Sequence, residues 1–153
     1  EHLLGRADKG AEEFYTVFRK NEEELSNKPI KQMSRLTQKL LSGIDYNAIA
    51  DIRRQNFHIF HSHLKEINKL KVNLELGAVP MTYPLMVSNG KQLKQKLIQT
   101  KVFLATYWPN VKNWVSRNSI ELKLYSNLLS IPIDQRYSNI DMKKILLLIL
   151  NYV

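Results

Sequence analysis

The sequence predicts an α+β fold, rich in helix and carrying a small, mostly antiparallel sheet. Three observations predict it. Apolar residues recur at helical spacing through much of the chain before Asn68. Three short β-favouring runs follow at 85–87, 102–107 and 128–133, each beside a proline or polar turn. Helical runs stand between and after them, giving long amino-terminal helices and then a β-α-β-α-β-α layer.

Taken in order, residues 1–10 carry little pattern. From Ala11 the spacing of Phe14, Tyr15, Phe18 and Leu25 is helical, with charges on the other face, and Ser26-Asn27-Lys28-Pro29 stops it. Residues 1–28 thus read as a helical arm that packs on a partner or on protein outside this chain, and 29–153 as the main domain. Ile30, Met33, Leu36, Leu40 and Leu41 make a second amphipathic helix ended by Gly43. Asp45 caps a longer one whose buried face is Ile49, Ile52, Phe57, Phe60, Leu64 and Ile67. The period is lost over 68–79, a connection, and Leu85, Met86 and Val87 form a strand with Pro84 near its start or on an edge.

Ser88-Asn89-Gly90 opens a basic helix with Leu93, Leu97 and Ile98 on its apolar side. Residues 102–107 are strand-like and lead into the Trp108-Pro109 turn, followed by an irregular or weakly helical stretch around Val111, Trp114 and Val115. Ile120, Leu124 and Leu128 fit a helix running into the last strand. That strand, with Leu128, Leu129, Ile131 and Ile133, ends near Pro132, which cannot donate to a ladder. Ser138 with Asp141 three residues on is a capping box opening the final apolar helix. Asp134, Gln135, Arg136 and Tyr137 therefore stand exposed between two buried elements.

The totals bound the function. At 153 residues, 44% hydrophobic and 24% charged, the chain suits one globular domain, or one domain and an arm. With no cysteine there is no disulfide framework or thiolate chemistry, and a cytoplasmic setting fits. The longest apolar run, 145–150, is too short to span a bilayer, and the amino end lacks a signal-peptide pattern. The net charge of +9 is unevenly spread: half the acidic residues lie in the first 24 positions, and none lies between Glu75 and Glu121. Lys91, Lys94, Lys96, Lys101, Lys112 and Arg117 fall in that interval, favouring an anionic partner such as a phosphorylated small molecule, an acidic domain or nucleic acid.

No constellation of side chains makes a complete active site. His58 and His61 share a helical face but His63 points away, which suits a partly buried imidazole better than zinc. No glycine-rich phosphate loop, G-x-S-x-G elbow, H-E-x-x-H pair or convincing carboxylate pair is present. Tyr83, Phe103, Tyr107, Trp108 and Trp114 interleave with lysines as single-strand stacking platforms do, without an RNP, KH or helix-turn-helix signature.

The segment LLSIPIDQRYSNIDM (128–142), the upstream ATYWP (105–109) and the stretch MSRLTQKLLSGIDYNAIADIRRQNF (33–57), with its Met33-Ser34 and Arg53-Arg54 pairs, occur in an order similar to that in the carboxy-terminal domain of the DegT/DnrJ/EryC1/StrS aminotransferases. The resemblance spans about 29–153 and implies the small domain of an aspartate aminotransferase fold, part of an enzyme that transaminates sugars. In that family the large amino-terminal domain holds the Schiff-base lysine and most contacts to pyridoxal phosphate. The resemblance thus implies no catalytic residue, no cofactor in this chain, and a missing large domain as its partner, with a homodimer in the full-length protein. It implies that Tyr107, Trp108, Asp134, Gln135, Arg136 and Tyr137 face a nucleotide-sugar or related amino acceptor at the active-site mouth. One departure stands out: the family carries Asn-x-Arg before the Met-Ser/Thr pair, where this chain has Ile30-Lys31-Gln32. The other readings are a free-standing basic module that binds nucleic acid, or a protein-interaction module.

Overall fold

The structure, a computed structural model, describes residues 5, 8–10, 13–25 and 28–153, so Ala11 and the Ser26-Asn27 stop lie outside the described residues. The chain divides into two compact units, 1–44 and 45–153.

The first unit contains α1 (Tyr15–Leu25) and α2 (Arg35–Ser42), neither of which buries a residue. On α1, Tyr15 and Phe18 stack at 6.2 Å between ring centroids, and Arg19 pairs with Glu23 one turn on at 3.4 Å. Ser34 caps α2, its Oγ accepting from the Thr37 amide at 3.1 Å. Gly43 closes α2 by donating to the Leu40 carbonyl, at a φ of −88° that any residue adopts.

The second unit opens with α3 (Tyr46–Leu64), capped by Asp45, whose carboxylate accepts from the Ala48 amide at 2.9 Å. Then come β1 (Thr82–Met86), α4 (Gly90–Gln99), a 3₁₀ turn at Pro109–Asn113, α5 (Ile120–Asn127), β2 (Leu128–Pro132) and α6 (Asn139–Tyr152). Among the described residues this makes six α-helices and two strands. None of these helices is long and apolar enough to cross a membrane.

The strands pair antiparallel, with Tyr83 opposite Ile131 and Leu85 opposite Leu129. Strand alternation sends Tyr83, Leu85, Leu129 and Ile131 to one face, where they meet Phe57, Phe60 and Leu64 of α3, Leu93 and Leu97 of α4, and Met142 and Ile149 of α6. Each large side chain taken out of water in this way contributes roughly 1.5–3 kcal/mol. The capping box of α6 is complete: the Ser138 amide donates to Asp141 Oδ2 (3.0 Å) and the Asp141 amide to Ser138 Oγ (3.3 Å).

Pro84 sits in mid-strand without costing a ladder bond. The carbonyls of Pro84 and Met86 and the amide of Met86 all point away from β2, towards Asn68 and Lys69. The proline's absent donor therefore belongs to the outer edge. Asn68 takes up that edge, donating to the Pro84 carbonyl (2.8 Å) and accepting from the Met86 (2.9 Å) and Leu70 (3.1 Å) amides. Gly90 marks a close approach on the other side of the core. A Cβ there would lie 2.2 Å from the Asn127 carbonyl oxygen and 2.6 Å from its Cα.

One predicted strand is absent. Of residues 102–107 only Ala105 pairs, in a single bridge to Ser130, so the third member of the sheet is one residue long. The backbone explains this. Lys101 at φ 64° and Trp108 at φ 49° turn the chain sharply at both ends, and only Leu104 between them is buried. The first strand also begins earlier than its apolar run, at Thr82, because Tyr83 shares the core face with Leu85.

Candidate functional site

Two places in the second unit carry the predicted site residues. The first is a recess of about 240 Å³ walled by the 105–108 segment, the start and one face of α5, and the outer face of β2. Tyr107 and Trp108 line it with Thr106, Tyr125, Leu128 and Ser130. Their rings lie 5.9 Å apart, tilted at 52°. Trp108 holds a left-handed backbone, unusual for a bulky side chain, and Pro109 fixes the chain immediately after it. The result is an indole 75% exposed at the edge of a mostly apolar hollow. Glu121, in the first turn of α5, is the carboxylate of this lining.

Beside the recess, Lys94 of α4 donates from Nζ to Thr106 Oγ1. Burial lowers the lysine's pKa. Sequence reasoning left Lys94 undistinguished among the basic residues, because its half-buried position depends on how α4 meets the 105–106 segment.

The second place is the turn between β2 and α6. Asp134 accepts from Arg136 twice through the guanidinium, at 2.7 Å from Nε and 3.0 Å from Nη2, and once from the Arg136 amide at 3.1 Å. The paired guanidinium holds the Asp134 carboxyl below its ordinary value, and Asp134 in turn raises Arg136. Tyr137 is half-buried against the core, and that burial raises its phenol. Gln135 is exposed. None of Asp134 to Tyr137 lines the recess, so the six predicted residues fall into two groups. Tyr107 and Trp108 stand together in a hollow, whereas the polar turn engages much of its own charge.

What shapes the turn is Asn56, which the sequence did not reveal. It is 1% exposed, and its Nδ2 donates to the carbonyls of Ile133 (3.2 Å), Asp134 (3.3 Å) and Tyr137 (3.4 Å). The Arg53-Arg54 pair has a structural task as well. Arg53 donates to the carbonyls of Pro80 and Met81, and Arg54 to those of Gly77 and Ala78 and to Asp51.

The histidines separate. His61 stacks on Phe57 at 5.6 Å, and His63 Nδ1 lies 2.9 Å from the Ile59 carbonyl. His58 and His63 line a groove between α3 and α6 with Lys143 and Leu147. Among the described residues no group of His, Cys, Asp or Glu is placed to hold a metal ion.

No family model matches this sequence, and no curated protein matches it. Among solved structures, the chain is similar to a DegT DnrJ EryC1 StrS aminotransferase from Brucella abortus, with a TM-score of 0.54 and 21% identity. The match covers 68% of this chain but 31% of that one, so this chain spans about a third of the length of the aminotransferase it matches. At that identity the likeness is one of fold: the helix-rich architecture with its small antiparallel sheet is compatible with an aminotransferase-like α+β domain.

Proposed function

We propose that this chain is the carboxy-terminal domain of a DegT-like aminotransferase and forms the acceptor side of an active site whose chemistry lies in a companion large domain. The observation that carries the reading is the fold likeness, which covers most of this chain and only a third of a whole aminotransferase. On this reading Tyr107 and Trp108 supply an aromatic wall for a nucleotide-sugar or related amino acceptor. The Asp134–Arg136 pair fixes the polar turn between β2 and α6, and the full-length protein is a homodimer.

Pyridoxal phosphate belongs to the companion domain on this reading, and the donor set here supports that. The cofactor needs a lysine amine and a carboxylate facing one cavity, with a cradle for its phosphate. The recess holds Glu121 but no lysine, and Lys94 is turned onto Thr106. Ile30 runs against the family pattern: it stands where the family has an Asn that reaches the cofactor phosphate of the partner subunit, and it is fully exposed and has no side-chain donor to make that contact.

Sequencing the reading frame upstream of the codon for Glu1 tests the proposal. A cofactor-binding domain is expected there, and a different domain overturns it. In addition, stoichiometric attachment of pyridoxal phosphate to a lysine of the isolated chain, released by an amino donor, would contradict it. A second reading has one observation in its favour: Phe103, Trp108 and Trp114 are all exposed within a stretch free of acidic residues. Single-stranded nucleic acid would stack there, and binding to a labelled oligonucleotide that weakens steeply with salt would support it.

A further inference from the structure

Helix α6 is apolar on two sides. Residues 145–150 are an unbroken apolar run, of which Ile145, Leu146 and Ile149 enter the core. Leu147 and Leu150 face outward, 61% and 44% exposed. A surface helix ordinarily gives that side to polar residues. With Ile59 of α3, these two leucines line the groove between α3 and α6, a hollow of about 780 Å³. The charge of the groove has one sign. Lys143 is exposed one turn before Leu147 and lines it, and His58 and His63 add imidazoles that carry positive charge or none. Among the described residues no Asp or Glu lines it.

We propose that this groove is the docking site for an amphipathic helix of a separate protein, whose apolar edge lies on Leu147 and Leu150 and whose flanking Asp or Glu side chains pair with Lys143. Shape and charge choose this occupant. A hollow between two helices takes a third, rounded helix, whereas a flat bilayer would leave its floor uncovered. A second copy docked groove to groove would set one cationic rim on another, a repulsive arrangement. Every lining residue belongs to α3 or α6, so no open backbone edge is offered to a strand. From Asn139 to Leu150 the α6 wall rises about 16 Å, the length of three turns of a partner helix. A strip of that size suits a detachable segment, not the broad contact of a permanent domain interface. The inference needs neither the companion domain nor the Tyr107–Trp108 recess.

The probe is a fluorescein-labelled peptide of about 15 residues, held helical by a side-chain staple, with leucines at helical spacing and glutamates flanking them. Titrated with the full chain, it should show a saturable rise in anisotropy. The same peptide with lysine in place of each glutamate should bind at least about tenfold more weakly. Leu147→Asn should weaken the glutamate peptide by at least about tenfold. Lys143→Glu should reverse the preference, so that the lysine peptide binds better than the glutamate one. A damaged fold would lose both peptides, so the reversal separates lost charge from lost structure, and circular dichroism checks each variant. No saturable binding, equal binding of the two peptides, or an unchanged preference in Lys143→Glu overturns the proposal. Self-association in light scattering that Leu147→Asn abolishes makes a second copy the occupant and also overturns it. Flotation with phosphatidylserine vesicles that Leu147→Asn abolishes does the same in favour of a lipid surface. If the upstream frame encodes a large domain and the longer protein no longer binds the peptide, the groove belongs to that domain and the proposal falls while the domain reading stands.

Discussion

Replacing Asn56 by alanine removes one amide from a buried site and leaves three carbonyls, those of Ile133, Asp134 and Tyr137, without their shared donor. The Ile133 bond is fully buried, so its carbonyl loses about 1–3 kcal/mol with nothing to replace the partner. The other two are partly buried and recover water, at a net cost of about 0.5–1.5 kcal/mol each. Allowing for the shared donor, a loss of about 3 kcal/mol is expected. With a urea slope of about 1.5 kcal/mol per molar, that lowers the unfolding midpoint by roughly 2 M. Far-ultraviolet circular dichroism is the right probe, because Trp108 and Trp114 are already exposed in the folded protein and report little on unfolding.

Asn56→Asp sharpens the test, since its shape is nearly the same and its donors are not. Facing three carbonyl oxygens away from water, the new carboxyl should have a folded-state pKa raised above the unfolded value of about 3.9. Its contribution is then fully present below that value and is lost as pH rises through the folded pKa. Protonated, it donates one hydrogen bond; ionised, it donates none. Asn56→Asp should thus be less stable than Asn56→Ala near about pH 8 and close the gap near about pH 4. A loss below about 1 kcal/mol in Asn56→Ala, or aspartate and alanine variants that stay parallel across that range, refutes the assignment.

Gly90→Ala should destabilise by about 1–3 kcal/mol in urea titration, outweighing the roughly 1 kcal/mol that alanine usually gains in a helix, because the new Cβ would meet Asn127 backbone at 2.2 Å. Asp134→Asn should cost about 1 kcal/mol at neutral pH, because the Arg136 side chain is 73% exposed while that of Asp134 is 15% exposed. Asp134 has a depressed pKa in the fold, so its contribution is present above about pH 4 and lost as pH falls through the folded value; the stability curves of parent and variant should converge in acid. Arg54→Ala should leave the core intact but free the 77–78 carbonyls, giving faster limited proteolysis in that loop than in the parent.

Signals that act within a few residues were legible in the sequence. Ser138 and Asp141 lie three residues apart, at the cap and in the first turn of one helix, so their reciprocal bonds need nothing beyond the local backbone. The Asp45 cap and the alternation of Leu129 with Ile131 are local in the same sense. The 102–107 run misled because strand propensity says which residues tolerate a pleat, not whether the chain can stay extended between two left-handed residues. Asn56 was hidden because its acceptors lie 77 to 81 positions away, and a lone asparagine in a helical run carries no periodic mark. Gly90 read as an ordinary helix entry because its neighbour Asn127 comes from another helix. For the site, the sequence placed Tyr107 and Trp108 on a turn. The hollow they share with Tyr125 and Ser130, and the lysine leaning on Thr106, exist only once α4, α5 and β2 are assembled.

The asparagine at position 68 has a consequence for behaviour in a crowded solution. A ribbon of two strands leaves two rims on which another polypeptide can add a strand, and growth there is one way soluble proteins begin to form fibres. On the rim beside β1 the side chain of Asn68 already imitates a peptide group, offering a donor to Pro84 and an acceptor to Met86, and Pro84 itself has no hydrogen to offer. An incoming strand finds that rim occupied. Exchanging Asn68 for an apolar residue would reopen it, so such a variant should clump from concentrated solution before its core has measurably loosened.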